Sequence, residues 1–417
     1  MDYTGGARLL RLDSNLEVFV SAQDKSPYNR AMSEAQTPLD PIALTQALIR
    51  RPSVTPDDAG AMDVVQRTLE SLGFTCHRLK FGAIENLYAR RGTAAPNLCF
   101  AGHTDVVPGG VRSLWRYDPF GAEIHDGAIV GRGAVDMKGG VAAWIAAVSR
   151  LGGLPGSLSF LITGDEEGDA VDGTRRMVEW LEARGEIIDH CIVGEPSSSE
   201  RLGDMIKVGR RGSINATLTV AGKQGHVAYP QRALNPLPVL IDLLSALKER
   251  ALDDGYEQFP PSNLEITTID TGNTATNVIP QAATARLNIR FNPAHSGLLL
   301  HKWIEAMAAD AARRSGAHIE VRAAISGEAF LTEAGPFIDL IAGVIRDRFG
   351  LETDRSTTGG TSDARFIRRL CPVVEFGLVG QTMHQINECV PVGELLALTD
   401  AYSALIEAYF SKFGSTS

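Results

Sequence analysis

Short apolar runs of strand length recur along this chain, each closed by a glycine or a charged residue, and stretches of helical periodicity separate them. Asn97 to Ala101, Leu158 to Ile162, Asp189 to Val193 and Pro372 to Gly377 are such runs. Phe74 to Leu79 and Asn86 to Arg90 read as more polar strands. Asp40-Pro41 opens a helix as a cap followed by a first-turn proline, with Ile42, Leu44, Ala47, Leu48 and Ile49 on its apolar side. Further helices are predicted over about 61–72, over the Ala/Val/Ile-rich 141–148 segment, and over 173–183, 335–349 and 392–410. Strands alternating with helices predict an α/β fold. From about Gly209 the pattern changes. Ser213 to Val220 alternates like an antiparallel strand, a helix follows over 236–252, strands over 263–270 and 283–291, a helix over 297–314 and a strand over 319–324. That β-α-β-β-α-β order predicts a small α+β split-βαβ sandwich, of ferredoxin-like type, inserted into the larger domain. The expected division is a catalytic domain in two parts, 38–209 and 327–417, an insert over 210–326, and an N-terminal extension over 1–37 without a fixed fold. Met32 stands just before the first structured segment, so residues 1–31 read as an upstream extension or a start-site artefact.

The candidate chemistry lies in the turns after the apolar runs. Gly164-Asp165-Glu166-Glu167-Gly168 follows one, and His103 and Asp105 follow another. In extended chain successive side chains point to opposite sides, so Glu166 and Glu167 can do different jobs at one location. By the same rule His103 and Asp105 share a face, as a metal ligand and the partner that fixes its ring tautomer would. Glu195, in Gly194-Glu195-Pro196-Ser197, makes a third carboxylate-bearing turn, and Asp136 lies in a glycine-rich loop before the 141–148 helix. Ligands gather beyond the carboxyl ends of strands in open α/β sheets, so one rim can collect all of these. Each also has a plainer reading: a solvated acidic turn for Glu166-Glu167, a helix N-cap for Asp136, and structural histidines for His103 and His384. The glycine-rich loop matches neither GxxxxGK[ST] nor GxGxxG, which argues against a nucleotide site.

Composition narrows the partners. The 417 residues suffice for two domains, with 44% apolar and 22% charged residues, as in ordinary soluble proteins. A net charge of −10 disfavours nucleic acid or an anionic membrane as partner. No apolar run is long enough to span a bilayer and no signal peptide is evident. Five scattered cysteines without a CxxC pair argue against a disulfide framework and a cysteine-built zinc site, and suggest a reducing cytoplasm.

The motifs Ala101-Gly102-His103-Thr104-Asp105-Val106-Val107-Pro108, Gly131-Arg132-Gly133-Ala134-Val135-Asp136-Met137-Lys138-Gly139-Gly140, Gly164 to Gly168, Gly194 to Ser197 and Met383-His384-Gln385-Ile386-Asn387-Glu388 resemble, in order and spacing, the five metal-site motifs of the M20 metallopeptidase family. The resemblance covers about residues 40–410. It implies a zinc-aminopeptidase-like catalytic domain with a mixed central sheet, an inserted dimerisation and lid domain, and a homodimer. It implies two zinc ions, with cobalt able to substitute: Asp136 bridging, His103 and Glu195 on one ion, Glu167 and His384 on the other. Glu166 would be the general base, Asp105 would orient His103, and His226 would come from the neighbouring subunit. Arg211, Ser213, Tyr229, Asn277, Arg290, Gly360 and Thr361 match substrate-contact positions of family members that hydrolyse amides of multiply carboxylated small molecules. Gly380 stands where many such members have asparagine. Other amide hydrolases of the family, a deacetylase or a carboxypeptidase, are the nearest alternatives, and a non-catalytic binding protein on the same scaffold is a more distant one.

Overall fold

A computed structural model describes residues 38–414, and the predicted N-terminal extension lies outside the described residues. An eight-stranded mixed sheet runs in the order Thr75–Phe81, Ile84–Arg91, Ser157–Thr163, Asn97–His103, His190–Val193, Val373–Glu375, Met205–Lys207, Asp354–Ser356. Its centre is parallel: Ser157–Thr163, Asn97–His103, His190–Val193 and Val373–Glu375 all run the same way. Their carboxyl ends therefore reach one rim, and the loops that follow them carry the candidate residues.

Alternation along the central strands fills two cores. Leu98, Phe100, Leu158, Phe160, Ile162 and Ile192 face a cluster built with the helices Pro41–Ile49, Lys138–Ser149, Pro336–Phe349 and Val392–Phe413. Cys99, Ala101, Leu161, Cys191 and Val193 face the other side, where Met177, Leu181 and Ile367 cover them. The Lys138–Ser149 helix is apolar all round because neighbours surround it; every residue from Lys138 to Val148 is buried. Its Trp144 stacks on Phe100 with ring centroids 4.7 Å apart. Tyr402 packs edge-on against Trp144 and donates its hydroxyl to Phe376 O at 2.6 Å.

The chain leaves this sheet after Met205–Lys207 and rejoins it at Asp354–Ser356. In between it forms a four-stranded antiparallel sheet, ordered Asn263–Asp270, Ala282–Phe291, Gly212–Ala221, His318–Gly327, with the helices Pro236–Glu249 and Gly297–Ser315. This sheet has its own apolar cluster of Ile214, Leu218, Leu243, Leu287, Ile289 and Ile304. Two short pairings that periodicity does not reveal flank it: Gly209–Arg210 with Phe330–Leu331, and Gly225–His226 with Val278–Ile279.

Asp253 anchors the loop between the first helix and the Asn263–Asp270 strand. Its carboxylate accepts from Gly255 N at 2.8 Å, Ser262 N at 3.1 Å and Asn292 Nδ2 at 2.7 Å, and lies 2.9 Å from His295 Nε2. Burial acts to raise its pKa, but the hydrogen bonds from Ser262, Gly255 and Asn292 outweigh it and bring the carboxyl down to about 2. An unfolded aspartate titrates near 3.9, so this stabilisation is complete above about pH 4 and is lost as pH falls through about 2. Asp253→Asn is expected to lower stability by about 1–3 kcal/mol at pH 7. Urea unfolding should show that gap closing as the pH falls from about 4 to about 2; an unchanged gap at low pH would contradict the carboxylate's role.

Candidate metal centre

His103 ends its strand buried at the rim. Its Nδ1 donates to the backbone carbonyl of Asp105 at 2.9 Å, which places a proton there and turns Nε2 toward Asp136 Oδ1 at 3.1 Å. Glu195 Oε1 is 3.9 Å from the same Nε2. The other oxygen of Asp136 lies 3.2 Å from His384 Nε2, which meets Glu167 Oε1 at 2.9 Å. Asp136 thus stands between two imidazoles with one oxygen toward each. It does not cap the helix behind it: the N-cap is Met137, and no side chain caps that end.

The two glutamates separate, but not for the reason of strand alternation. The strand ends at Thr163 and residues 164–168 bend. The amides of Glu166 and Glu167 both donate to the Asp105 carboxylate, at 3.3 and 3.1 Å. Thr55 Oγ1 donates to it as well, at 2.7 Å. From this shared anchor Glu167 turns to His103 and Asp136, and Glu166 to His103 and Glu195; the oxygen and nitrogen atoms within each trio lie within 4.8 Å of one another. Asp105 therefore contacts both the histidine and the glutamate turn. Its backbone carbonyl orients His103, its Oδ1 is 3.6 Å from Nδ1, and the carboxylate mainly holds the glutamate turn.

The electrostatics follow from this crowding. Burial, reinforced by the charge of Glu195, pushes the Glu166 carboxyl well above the usual range. Burial and the Asp136 charge do the same to Glu195. Asp136 goes the other way: burial opposes its charge, but hydrogen bonds from His103 and His384 hold its carboxyl well below normal. His384 is pushed up to about 10 by hydrogen bonds to Asp136 and Glu167. An imidazole and carboxylate set with excess negative charge and no thiolate is the donor chemistry a divalent cation takes.

A cavity of about 630 Å³ opens beside these residues, lined by Asp136, Glu166, Glu167, Glu195 and His384 and also by Lys207, Arg210 and Arg290. Gly360, Thr361 and Gly380 also line it. Arg210 is held in place by Glu375, to which Nε donates at 2.9 Å, and it donates to Gly360 O at 3.2 Å. Arg211 is not on the cavity wall; its Nη1 donates to Asn263 Oδ1 at 2.9 Å. Ser213 is buried and bonded to Asn288, also off the wall. His226, Tyr229 and Asn277 come together elsewhere: the imidazole and phenol centroids are 6.0 Å apart, and Val227 N donates to Asn277 O at 3.1 Å. None of these three lines the cavity. Lys207 and Arg210 were missed from the sequence. The only signal is that Arg210 and Arg211, as neighbours in extended chain, point to opposite sides. A Cβ on Gly380 would sit 3.0 Å from Pro196 O, so the wall is drawn in there. A neighbouring cavity of about 520 Å³ shares Glu167 but has no cationic side chain on its wall.

The family model for Peptidase family M20/M25/M40 matches residues 99–408. The chain belongs to this family. Among M20 relatives, it is similar to succinyl-diaminopimelate desuccinylase of Caulobacter vibrioides strain NA1000 / CB15N, 67% identical over 375 residues that span 90% of this chain and 97% of that protein. The enzyme of the same name from Phenylobacterium zucineum strain HLK1 is 61% identical over 376 residues, 89% of this chain and 99% of that one. In structure the M20 fold is shared with a metallo-carboxypeptidase of Sulfolobus solfataricus at a TM-score of 0.75 and 18% identity, covering 89% of this chain and 100% of the other. A Bacillus subtilis M20 protein described as a dinuclear metal-binding peptidase superposes with a TM-score of 0.66 at 16% identity, covering 90% of this chain and 98% of that one. No helix among the described residues is long and apolar enough to cross a membrane.

Proposed function

We propose that this chain hydrolyses the amide bond of N-succinyl-LL-2,6-diaminopimelate to succinate and LL-2,6-diaminopimelate, a step toward lysine and diaminopimelate. The observation that carries this reading is the identity with desuccinylases, sustained over about nine-tenths of the chain. The site chemistry agrees with it. Asp136, His103 and Glu195 would hold one divalent ion, and Asp136, Glu167 and His384 a second. Zinc suits the donor set, with cobalt able to substitute. When bound, such a pair lowers the pKa of a water and polarises the amide carbonyl. Glu166 takes a proton on its carboxylate from the attacking water and delivers it to the leaving nitrogen. Asp105 holds the Glu166 and Glu167 amides and, through its carbonyl, the His103 ring. Lys207, Arg210 and Arg290 give the cavity positive charge for the substrate's carboxylates, and Arg290 is the fork that would pair with both oxygens of one, since Glu375 holds that of Arg210.

The 210–326 insert serves as lid and dimerisation domain of a cytoplasmic homodimer. His226, Tyr229 and Asn277, away from the cavity of their own chain, reach the site of the partner subunit, where His226 donates to the tetrahedral oxyanion.

Steady-state kinetics compare N-succinyl-LL-2,6-diaminopimelate with N-acetylornithine, the substrate of the nearest alternative. The expected kcat/KM ratio favours the succinyl compound by at least about a hundredfold; preference for N-acetylornithine overturns the assignment. Glu166→Gln should retain its metal and lose at least about a hundredfold in turnover, and near-normal turnover would reject it as the base. Mixing Glu166→Gln chains with His226→Ala chains and letting dimers exchange should restore about a quarter of wild-type activity, because half the dimers then hold one complete site. Activity staying at the level of the separate variants would place His226 outside the partner's site.

A further inference from the structure

Behind the metal-site candidates lies a buried ion pair that the mechanism does not use. Arg132 Nη1 donates to Glu388 Oε2 at 2.7 Å, and the two side chains are only 3% and 0% exposed. Glu388 Oε1 accepts from the amides of Val135 and Asp136 at 3.0 and 3.2 Å. Arg132 Nη2 donates to the carbonyls of His384 at 3.3 Å and Pro108 at 3.4 Å. Gly131 N donates to Glu388 O at 2.9 Å. The guanidinium also lies 5.4 Å from the Trp115 ring centroid.

Desolvating an ion pair can cost more than its attraction returns, so a buried pair is weak evidence of stability alone. What this pair does is fasten three loops at once: the one after His103, the one bearing Asp136 and the one bearing His384. The ligand candidates differ in how much they need it. His103 ends a strand paired on both sides, and Glu195 lies two residues beyond another central strand. His384 follows the single-turn helix Gly380–Thr382, has a left-handed backbone at φ 61°, and has its carbonyl held by Arg132. Asp136 has its amide held by Glu388.

Resting on the two-ion reading above, we propose that Arg132 and Glu388 are positioning residues that set His384 against Asp136 and thereby control the affinity of the His384–Glu167 ion position. The His103–Glu195 position, built on paired strands, depends on them little.

The test is calorimetric titration of the metal-free full chain with Zn²⁺, for the wild type, Glu388→Gln, Arg132→Lys and His384→Ala. Arg132→Lys keeps the charge and loses the planar fork that reaches two carbonyls. The wild type should show two binding events. In Glu388→Gln and Arg132→Lys one event should stay within about threefold and the other weaken at least about tenfold, the range for groups that orient metal ligands. The weakened event should be the one that His384→Ala abolishes. Equal weakening of both events, weakening of neither, or loss of the other event in His384→Ala overturns the inference. If Glu388→Gln fails to fold, Arg132→Lys decides by the same criteria. A wild type with fewer than two events overturns the two-ion reading and the inference with it, a result visible before any variant is measured.

Discussion

The Asp136 carboxylate, shared oxygen by oxygen between His103 and His384, is the contact on which the geometry of the site turns. It requires three separate loops to meet, and it sits among Glu166, Glu167 and Glu195. Two carboxylates about 4 Å apart repel by about 4 kcal/mol at the effective dielectric of a protein site. A single backbone hydrogen bond contributes only about 0.5–1.5 kcal/mol, so a free loop would swing its charge away. The loops here are not free. The loops of His103, Glu166–Glu167 and Glu195 start within three residues of a parallel central strand, the glutamate turn is tied to Asp105 by two amides, and those of Asp136 and His384 are held by Glu388 and Arg132. The concentration of charge is therefore a property of the sheet first and of the side chains second.

The packing behind the rim serves the same end. The Lys138–Ser149 helix approaches so closely that a Cβ on Gly140 would lie 2.7 Å from Gly194 O, one residue before Glu195. The short distance between the Asp136 loop and the Glu195 loop is thus set by two glycines and by the fit of Trp144 on Phe100, well away from any charge. A glycine-rich loop that matches no phosphate-binding motif finds its explanation in this contact.

Much of this was legible in the sequence because its cause is local. Apolar runs ending in glycine place their following turns at a sheet rim and nominate His103, Glu166, Glu167 and Glu195; Asp136 and His384 join them through the resemblance of five motifs to those of the M20 family. The order of strands and helices over 212–327 could be read for the same reason, since each element carries its own periodicity. What could not be read depends on contacts remote in sequence. Whether Arg210 or Arg211 faces the cavity is decided by Glu375, 165 positions from Arg210. That Asp105 would grip the glutamate turn as well as the His103 ring depends on a bend after Thr163 that alternation does not foresee. Asp136 satisfies the local requirements of a helix cap, and only the two histidines show why it is not one.

The cavity brings both signs of charge together. Its carboxylates belong to the candidate ion-binding set, and Lys207, Arg210 and Arg290 line it as well. Burial and the neighbouring Arg210 charge bring the Lys207 ammonium down to about 8, so it still carries most of its charge at neutral pH. On the proposed reading, a substrate carboxylate is drawn to the cationic side chains, with Arg290 as its fork, and the amide is left to the ion-binding residues. An acyl group ending in a methyl brings no charge to this cationic set, in which Lys207 already donates to Ser356 and Thr358, and Arg210 to Glu375 and Gly360. On the proposed reading, a preference for a succinyl over an acetyl amide rests first on the cationic side chains of this cavity, before any contact with the rest of the substrate is counted.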